Sequence, residues 1–125
     1  MQTTTKKILI IEDEQDFAGL LVERLKADGY DAIAAFDGEH GLKAAKAMRP
    51  DLILLDLMLP GMDGRAVLME LKLYEETRDT PVVVITAIED AFNRNFTRGL
   101  GADDYIVKPF DSEKFVAMIR AHLGS

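Results

Sequence analysis

The chain contains no cysteine, and this absence excludes thiol chemistry and zinc sites built on thiolates. It also has no apolar run near the ~20 residues that a membrane-spanning helix needs. The N-terminal stretch up to Lys7 lacks the apolar core of a signal peptide. We therefore expect a cytoplasmic protein without a membrane partner.

Basic residues are also few. The chain has 15 Lys and Arg residues against 22 Asp and Glu residues, so its formal net charge is -7. Binding to the phosphate backbone of a nucleic acid calls for a basic patch, which this balance disfavours. The composition therefore argues against direct binding of nucleic acid.

Length and hydrophobic content favour one domain. The 125 residues, 48% of them hydrophobic, are enough to bury a core of ordinary proportions. No long linker, low-complexity segment or internal repeat divides the sequence. We predict a single domain over residues 1–125, in which residues 1–6 form a frayed lead-in.

Short apolar runs alternate with segments of helical spacing. The runs, at 7–11, 32–36, 51–55, 81–85 and 105–107, suit strands that are covered on both faces. Between and after them, apolar side chains expected in the core recur at helical spacing: Phe17, Leu20, Leu21 and Leu25; Leu42, Ala45 and Met48; Val67, Leu68, Leu71 and Tyr74; Phe92, Phe96 and Leu100; Phe115, Met118, Ile119 and Leu123. This order predicts an α/β fold with a parallel sheet between two helical layers.

Polar side chains follow four of the predicted strands. Glu12 and Asp13 come after the first strand, Asp56 after the third, Thr86 at the end of the fourth and Lys108 after the fifth. With the strand order 2-1-3-4-5, the first and third strands are neighbours, and their three carboxylates share one small pocket. Either raised pKa values or a hard cation must compensate this charge, and Mg²⁺ is the better choice.

The loop after the first strand argues against nucleotide and flavin binding. Such sites cradle phosphate with glycines or hydroxyls, whereas residues 12–16 read Glu-Asp-Glu-Gln-Asp and repel phosphate. No GxxxxGK[ST] or GxGxxG motif occurs. Phosphate could enter only with a metal and the Lys108 ammonium to offset the acidic charge.

Four segments carry a family resemblance: Glu12-Asp13, residues 56–64 (DLMLPGMDG), Thr86-Ala87 and Lys108-Pro109-Phe110. Together, at these separations, they resemble the receiver domains of two-component response regulators, over nearly the whole chain. The resemblance implies a flavodoxin-like (βα)5 fold, a doubly wound five-stranded parallel sheet with strand order 2-1-3-4-5.

The resemblance also implies a role for each residue at the acidic edge. Asp56 would be the phosphoacceptor, a carboxylate nucleophile that takes a phosphoryl group. Asp13, Asp56 and the backbone carbonyl of Met58 would bind Mg²⁺ directly, and Glu12 through water. Lys108 would contact a phosphoryl oxygen from the opposite side.

Two further residues resemble the family's switch. Thr86 corresponds to a hydroxyl that moves toward the phosphoryl group, and Tyr105 to an aromatic ring that then turns inward. Their alternative interpretations are a strand-end cap and an ordinary strand tyrosine. The switch would alter a surface formed by the fourth helix, the fifth strand and the fifth helix.

Prolines and glycines near the site are interpreted as shaping it. Pro60, Gly61 and Gly64 have the turn chemistry expected of the loop after the acceptor. The Lys108-Pro109 bond resembles a position where the family carries a cis peptide, which would aim the lysine into the pocket.

The resemblance implies partners as well. A sensor histidine kinase or phosphotransfer protein would donate the phosphoryl group, and a downstream effector or output domain would respond. A phosphorylation-dependent homodimer stays open. The chain would catalyse only its own phosphorylation and dephosphorylation and would not otherwise be an enzyme.

Two alternative functions fit parts of the same pattern. A Mg²⁺-dependent phosphohydrolase would also use an Asp nucleophile, but the resemblance to such enzymes calls for an Asp-x-Asp motif. Here Met58 stands two residues after Asp56, and 125 residues leave no room for a cap domain. An interaction module that works without phosphorylation would usually have lost the strand-end residues, and none of them is degraded here.

Overall fold

The computed structural model describes residues 5–124, so residues 1–4 of the predicted lead-in lie outside the described residues. Strands and helices alternate in the order β1 Lys7–Ile11, α1 Gln15–Ala27, β2 Asp31–Ala35, α2 Gly38–Met48, β3 Leu52–Leu55, α3 Gly64–Leu73, β4 Val82–Thr86, α4 Ala91–Gly99, β5 Asp104–Val107 and α5 Ser112–Leu123. The predicted fivefold alternation is confirmed. No helix within residues 5–124 is long and apolar enough to cross a membrane.

The strands form one parallel sheet in the order β2-β1-β3-β4-β5, as predicted. β1 lies between β2 and β3, and Ile11 pairs with both Ala35 and Leu55. At the other side of the sheet, Thr86 of β4 pairs with Val107 of β5. All five strands therefore end at one edge, which is where ligands bind in open sheets of this kind.

The sheet separates two apolar cores. On one face, α2 and α3 pack against side chains such as Leu9, Ile53 and Val84. On the other face, α1 and α5 pack against the alternate positions of the same strands, among them Ile10 and Leu54. Because successive strand side chains point to opposite faces, the apolar runs supply both cores at once.

Several predicted boundaries differ by one residue from the observed ones. The second strand ends at Ala35, and the ring of Phe36 is exposed. The fourth strand begins at Val82 and includes Thr86. Pro81 lacks an N–H, although its carbonyl accepts a hydrogen bond from Ile53 N at 3.0 Å.

The core residues predicted for helix α4 were wrong for its two phenylalanines. Phe92 and Phe96 are 73% and 42% exposed, whereas Asn93 and Thr97 are the buried residues of this helix. The two rings stack on each other, with centroids 5.8 Å apart. A polar face can turn inward here because both buried side chains find hydrogen-bond partners, Asn93 at Asp90 and Thr97 at the Asn93 carbonyl.

The prediction that Leu20 lies in the core was also wrong. Its side chain is exposed, and the buried residues of α1 are Ala18, Leu21 and Leu25. Positions three and four residues apart share the inward face of the helix, and Leu20 falls just outside that face. The helix therefore covers the sheet with a narrower stripe than the sequence suggests.

Candidate functional site

Two buried carboxylates lie side by side at the carboxyl ends of β1 and β3. The Ile11–Leu55 pairing places Glu12 and Asp56 each one residue beyond its strand, and Asp56 N donates to the Ile11 carbonyl at 3.0 Å. Glu12 and Asp56 are buried, while Asp13 is exposed at the rim. One carboxylate oxygen from each of the three lies within 4.8 Å of the others.

Lys108 closes the pocket from the side of β5. Its Nζ donates to Glu12 Oε1 at 2.6 Å and to Asp56 Oδ2 at 2.9 Å. Its backbone N donates to the Thr86 carbonyl at 2.8 Å, which continues the pairing of β5 with β4. The Lys108–Pro109 peptide is cis, in agreement with the resemblance.

Charge in the pocket is out of balance, because three carboxylates face one ammonium group. Burial, more than the neighbouring Asp56 carboxylate, raises the pKa of Glu12 from 4.5 to about 7, against the opposing hydrogen bond from Lys108. Burial also works against the charged form of Lys108, yet its hydrogen bonds to Glu12 and Asp56 outweigh burial and raise the pKa of the amine. Additional positive charge would stabilise the pocket.

The loop after Asp56 turns back toward the end of β3. Met58 N donates to Asp56 Oδ1 at 3.1 Å, and the side chain of Met58 points outward. Gly64 begins α3 so close to this loop that a Cβ there would lie 2.4 Å from Leu57 Cα and 2.5 Å from the Asp56 carbonyl oxygen. The position requires glycine for this close approach.

Pro60 and Gly61 occupy the exposed turn of the same loop, where Gly61 adopts a positive φ of 78°. A side chain is disfavoured in this left-handed conformation, so the glycine suits the turn. The loop therefore leaves β3 at Asp56, turns at Pro60-Gly61 and returns to the sheet edge at Gly64.

Thr86 and Tyr105 meet at a common residue. The Thr86 side chain is fully buried, and its Oγ1 accepts a long hydrogen bond of 3.4 Å from Ile88 N. The Tyr105 hydroxyl donates to the Ile88 carbonyl at 2.6 Å, and the ring lies inward beneath the Arg94 guanidinium, 4.7 Å away. The inward ring that the resemblance links to phosphorylation is therefore already present in this structure, because the Ile88 carbonyl gives the hydroxyl a partner there. The loop after β4 is thus held from both sides.

This donor set fits Mg²⁺. The carboxylates of Glu12, Asp13 and Asp56 are hard oxygen ligands on one side of the pocket, and the rim position of Asp13 leaves room for water. The Met58 backbone lies beside the Asp56 carboxylate, since its N–H donates to Asp56 Oδ1. A carboxylate nucleophile flanked by an ammonium group and a cation site is equipped for phosphoryl transfer.

Comparison with protein families agrees with this geometry. Residues 8–120 match the sequence model of the family described as "Response regulator receiver domain". The chain is a response regulator receiver domain. As such it is a signalling domain rather than an enzyme that acts on a separate substrate.

Known relatives span this receiver domain almost completely. The response regulator ArlR of Staphylococcus saprophyticus is 44% identical over 94% of the chain, which covers 52% of ArlR. The Bacillus subtilis regulator PhoP, of alkaline phosphatase synthesis, is 42% identical over 94% of the chain and 48% of PhoP. The receiver domain therefore spans about half the length of these curated relatives.

A solved structure bears on the metal site. The receiver domain of the sensor histidine kinase PA1611 from Pseudomonas aeruginosa superimposes with a TM-score of 0.87 and 28% identity, covering 98% of this chain and 100% of that one. That structure holds a magnesium ion coordinated in the active-site cleft.

Some contacts in this receiver domain have no signal in the sequence. The ring of Phe17, expected only as a core side chain, lies 4.6 Å from the Lys108 ammonium, measured to the ring centroid. Ile88 joins Thr86 and Tyr105 through backbone atoms, which any residue type could supply. Neither contact follows a periodicity or a motif.

Proposed function

We propose that Asp56 accepts a phosphoryl group and that the domain acts as a phosphorylation switch in a two-component system. The observation that carries this proposal is the setting of Asp56, a buried carboxylate with Lys108 Nζ 2.9 Å from one oxygen and two further acidic side chains beside it. Family membership supports the same role.

The transfer needs few groups. An Asp56 oxygen forms a bond to the phosphorus of the donor while the bond from phosphorus to the donor's leaving atom breaks, and that electron pair departs with the donor. Lys108 carries positive charge toward the phosphoryl oxygens, and the Met58 N–H orients the carboxylate. General acid or base catalysis is not required.

Glu12, Asp13, Asp56 and the Met58 carbonyl would hold Mg²⁺ in this proposal, with Glu12 acting through water. When bound, the ion supplies positive charge that offsets the charge of the carboxylates and of the phosphoryl group. The charge imbalance of the pocket and the magnesium-bound receiver domain of PA1611 support this assignment.

The switch follows from the loop after β4. A phosphoryl group on Asp56 attracts the Thr86 hydroxyl, and movement of this residue changes the Ile88 contacts that fix Tyr105. The surface of α4, β5 and α5 then changes shape. A histidine kinase or phosphotransfer protein supplies the phosphoryl group in the cytoplasm, and an effector, an output domain or a second copy reads the surface.

The test is intact-mass spectrometry after incubation with acetyl phosphate. We expect one added phosphoryl group on the wild type with Mg²⁺, and none with EDTA or in Asp56→Asn. Asp79→Asn is the matched control, because Asp79 is an exposed carboxylate in the loop after α3. If the wild type is not modified and also does not bind beryllofluoride, the result would favour an interaction module that works without phosphorylation.

A further inference from the structure

The Lys108 ammonium has a third partner besides the two buried carboxylates. Its hydrogen bonds to Glu12 and Asp56 use two of its three N–H groups. The face of the Phe17 ring lies on another side, with the ring centroid 4.6 Å from Nζ. A cation at this distance from the face of an aromatic ring is attracted to it. The ammonium is therefore held by a ring of α1 as well as by the strand ends.

This attraction acts where water is scarce. The side chain of Lys108 is only 18% exposed, and Phe17 is partly buried against the core that α1 and α5 share with the sheet. The attraction between a cation and a ring is stronger when both are partly removed from water than at an open surface. The Phe17 contact therefore helps to fix the position of the ammonium.

Two further rings fix the orientation of Phe17. Phe110 packs against Phe17 edge to face, with centroids 5.9 Å apart and an angle of 69° between the ring planes. Phe110 also stacks on Phe115 of α5 at 5.2 Å, and Phe115 is buried. Aromatic pairs in these arrangements attract each other. Phe17 is thus tied to the core, so that its face stays turned toward Lys108.

The proposed function makes different demands on the three partners of Lys108. Glu12 and Asp56 are proposed to hold Mg²⁺, and Asp56 is also the proposed phosphoacceptor. Carboxylates engaged in this way are less available to Lys108, whose four-carbon stem is flexible. The Phe17 ring has no oxygen atom for a hard cation and takes no part in the transfer. Its contact with the ammonium therefore does not compete with either role.

We propose that Phe17 is a positioning residue for phosphoryl transfer, because its ring face holds the Lys108 ammonium beside Asp56. The inference rests on the proposed function and deepens it. A charged group stabilises the reacting oxygens only while it is in place, so the rate falls when it is held there less often. Loss of the ring face should slow phosphorylation of Asp56.

Two replacements separate this attraction from simple packing. Phe17→Leu keeps an apolar side chain without the ring. Trifluorophenylalanine in place of Phe17 keeps the ring, but its fluorine atoms withdraw the electrons that attract a cation. We expect each to slow phosphorylation by acetyl phosphate with Mg²⁺ by about three- to tenfold, followed as a time course of intact mass. Phe17→Tyr retains an electron-rich ring and should stay near the wild-type rate.

NMR of the protein in EDTA tests the contact itself. A ring face over the ammonium shifts the neighbouring methylene protons of Lys108 upfield, and this shift should be lost in Phe17→Leu. Lys46, whose Nζ lies 3.6 Å from the Tyr74 ring centroid, is an internal reference whose shift should not change. Phe36→Leu is the matched control, since Phe36 is a partly exposed ring just after β2. It should alter neither the Lys108 shift nor the rate.

The outcomes distinguish the two proposals. If the wild type takes up no phosphoryl group, the proposed function fails, and the role of Phe17 in the transfer fails with it. If the wild type is phosphorylated but its Lys108 protons are not shifted upfield, or if both replacements react at the wild-type rate, the proposed function stands and the role of Phe17 is overturned. A slow Phe17→Leu beside a fluorinated protein of wild-type rate would also overturn it, because packing alone would explain the effect.

Discussion

Glu12 determines how the charge of the pocket changes with pH. Its pKa is raised to about 7 chiefly because the side chain is buried, so the folded protein binds this proton more tightly than the unfolded chain does. The stabilisation from this proton is fully present below pH 4.5 and is lost as the pH rises through about 7. Repulsion between the carboxylates of the metal-free pocket is therefore greatest at neutral to alkaline pH.

We predict that the metal-free protein loses about 2 kcal/mol of unfolding free energy through Glu12 as the pH rises from about 5.5 to about 8. Urea unfolding in EDTA measures this change. Glu12→Gln removes the titrating group, so its stability should change less over the same range. Equal pH dependence in the two proteins would contradict the raised pKa of Glu12.

Lys108 shows how much of the site the sequence predicts. Its place at the carboxyl edge follows from the strand order, because it comes directly after β5 as Asp56 does after β3. Its bond to Glu12 and its position beside Phe17 do not follow, since they depend on how long side chains turn within the pocket. The edge was predictable, but the contacts within it were not.

At the scale of the secondary-structure elements, the start of helix α3 lies against the loop that follows Asp56. Gly64 places the first turn of α3 against the backbone of Leu57, directly after Asp56. Any side chain at this position pushes against main-chain atoms that cannot move without displacing Asp56. The position of Asp56 is therefore coupled to the position of the start of α3.

We predict that Gly64→Ala lowers the unfolding free energy by about 3 kcal/mol or more, because the added methyl overlaps backbone atoms. Gly19→Ala is the control: Gly19 lies within α1, and a Cβ there meets nothing within 4 Å. This change should stabilise the protein by about 0.5–1 kcal/mol, since alanine favours helix. Urea unfolding of both variants checks the opposite signs.

Helix α4 shows why the sequence pattern predicted the wrong buried face for one element. Its phenylalanines have helical spacing and were expected inside, but the buried residues are Asn93 and Thr97. Burial of the Asn93 amide depends on Arg65, which is 28 residues away in the chain and on another helix. Periodicity within a segment carries no information about such a partner.

We predict that Phe96→Ala costs less than about 1 kcal/mol of stability, because the Phe96 ring is partly exposed and outside both cores. Phe115→Ala should cost about 3–5 kcal/mol, as expected for a fully buried ring. Thermal or urea unfolding compares the two. A large loss in Phe96→Ala would mean that α4 turns its aromatic face inward in solution.

At the scale of the whole molecule, an acidic chain brings three of its carboxylates together at the edge where the strands end. The net charge of -7 includes the three clustered carboxylates, whose mutual repulsion opposes folding. A divalent cation bound only by the folded protein relieves this repulsion and stabilises the fold by mass action.

We predict that Mg²⁺ raises the unfolding free energy by about 2.7 kcal/mol at a concentration one hundred times its Kd. Sodium chloride at equal ionic strength should give a smaller rise, because it screens charge without occupying the pocket. Asp13→Asn should weaken the magnesium effect, whereas Asp79→Asn should keep it. A rise of the same size in both variants would place the ion elsewhere on the surface.

The pocket draws its parts from distant positions in the chain, because Lys108 follows Asp56 by 52 residues and Glu12 by 96. During synthesis on the ribosome, the acidic strand ends emerge long before β5. A nascent chain thus carries Asp56 before it carries the Lys108 ammonium group that contacts it. In the proposed function, the domain can accept a phosphoryl group only after β5 has joined the sheet, so an incompletely synthesised chain cannot act as a switch.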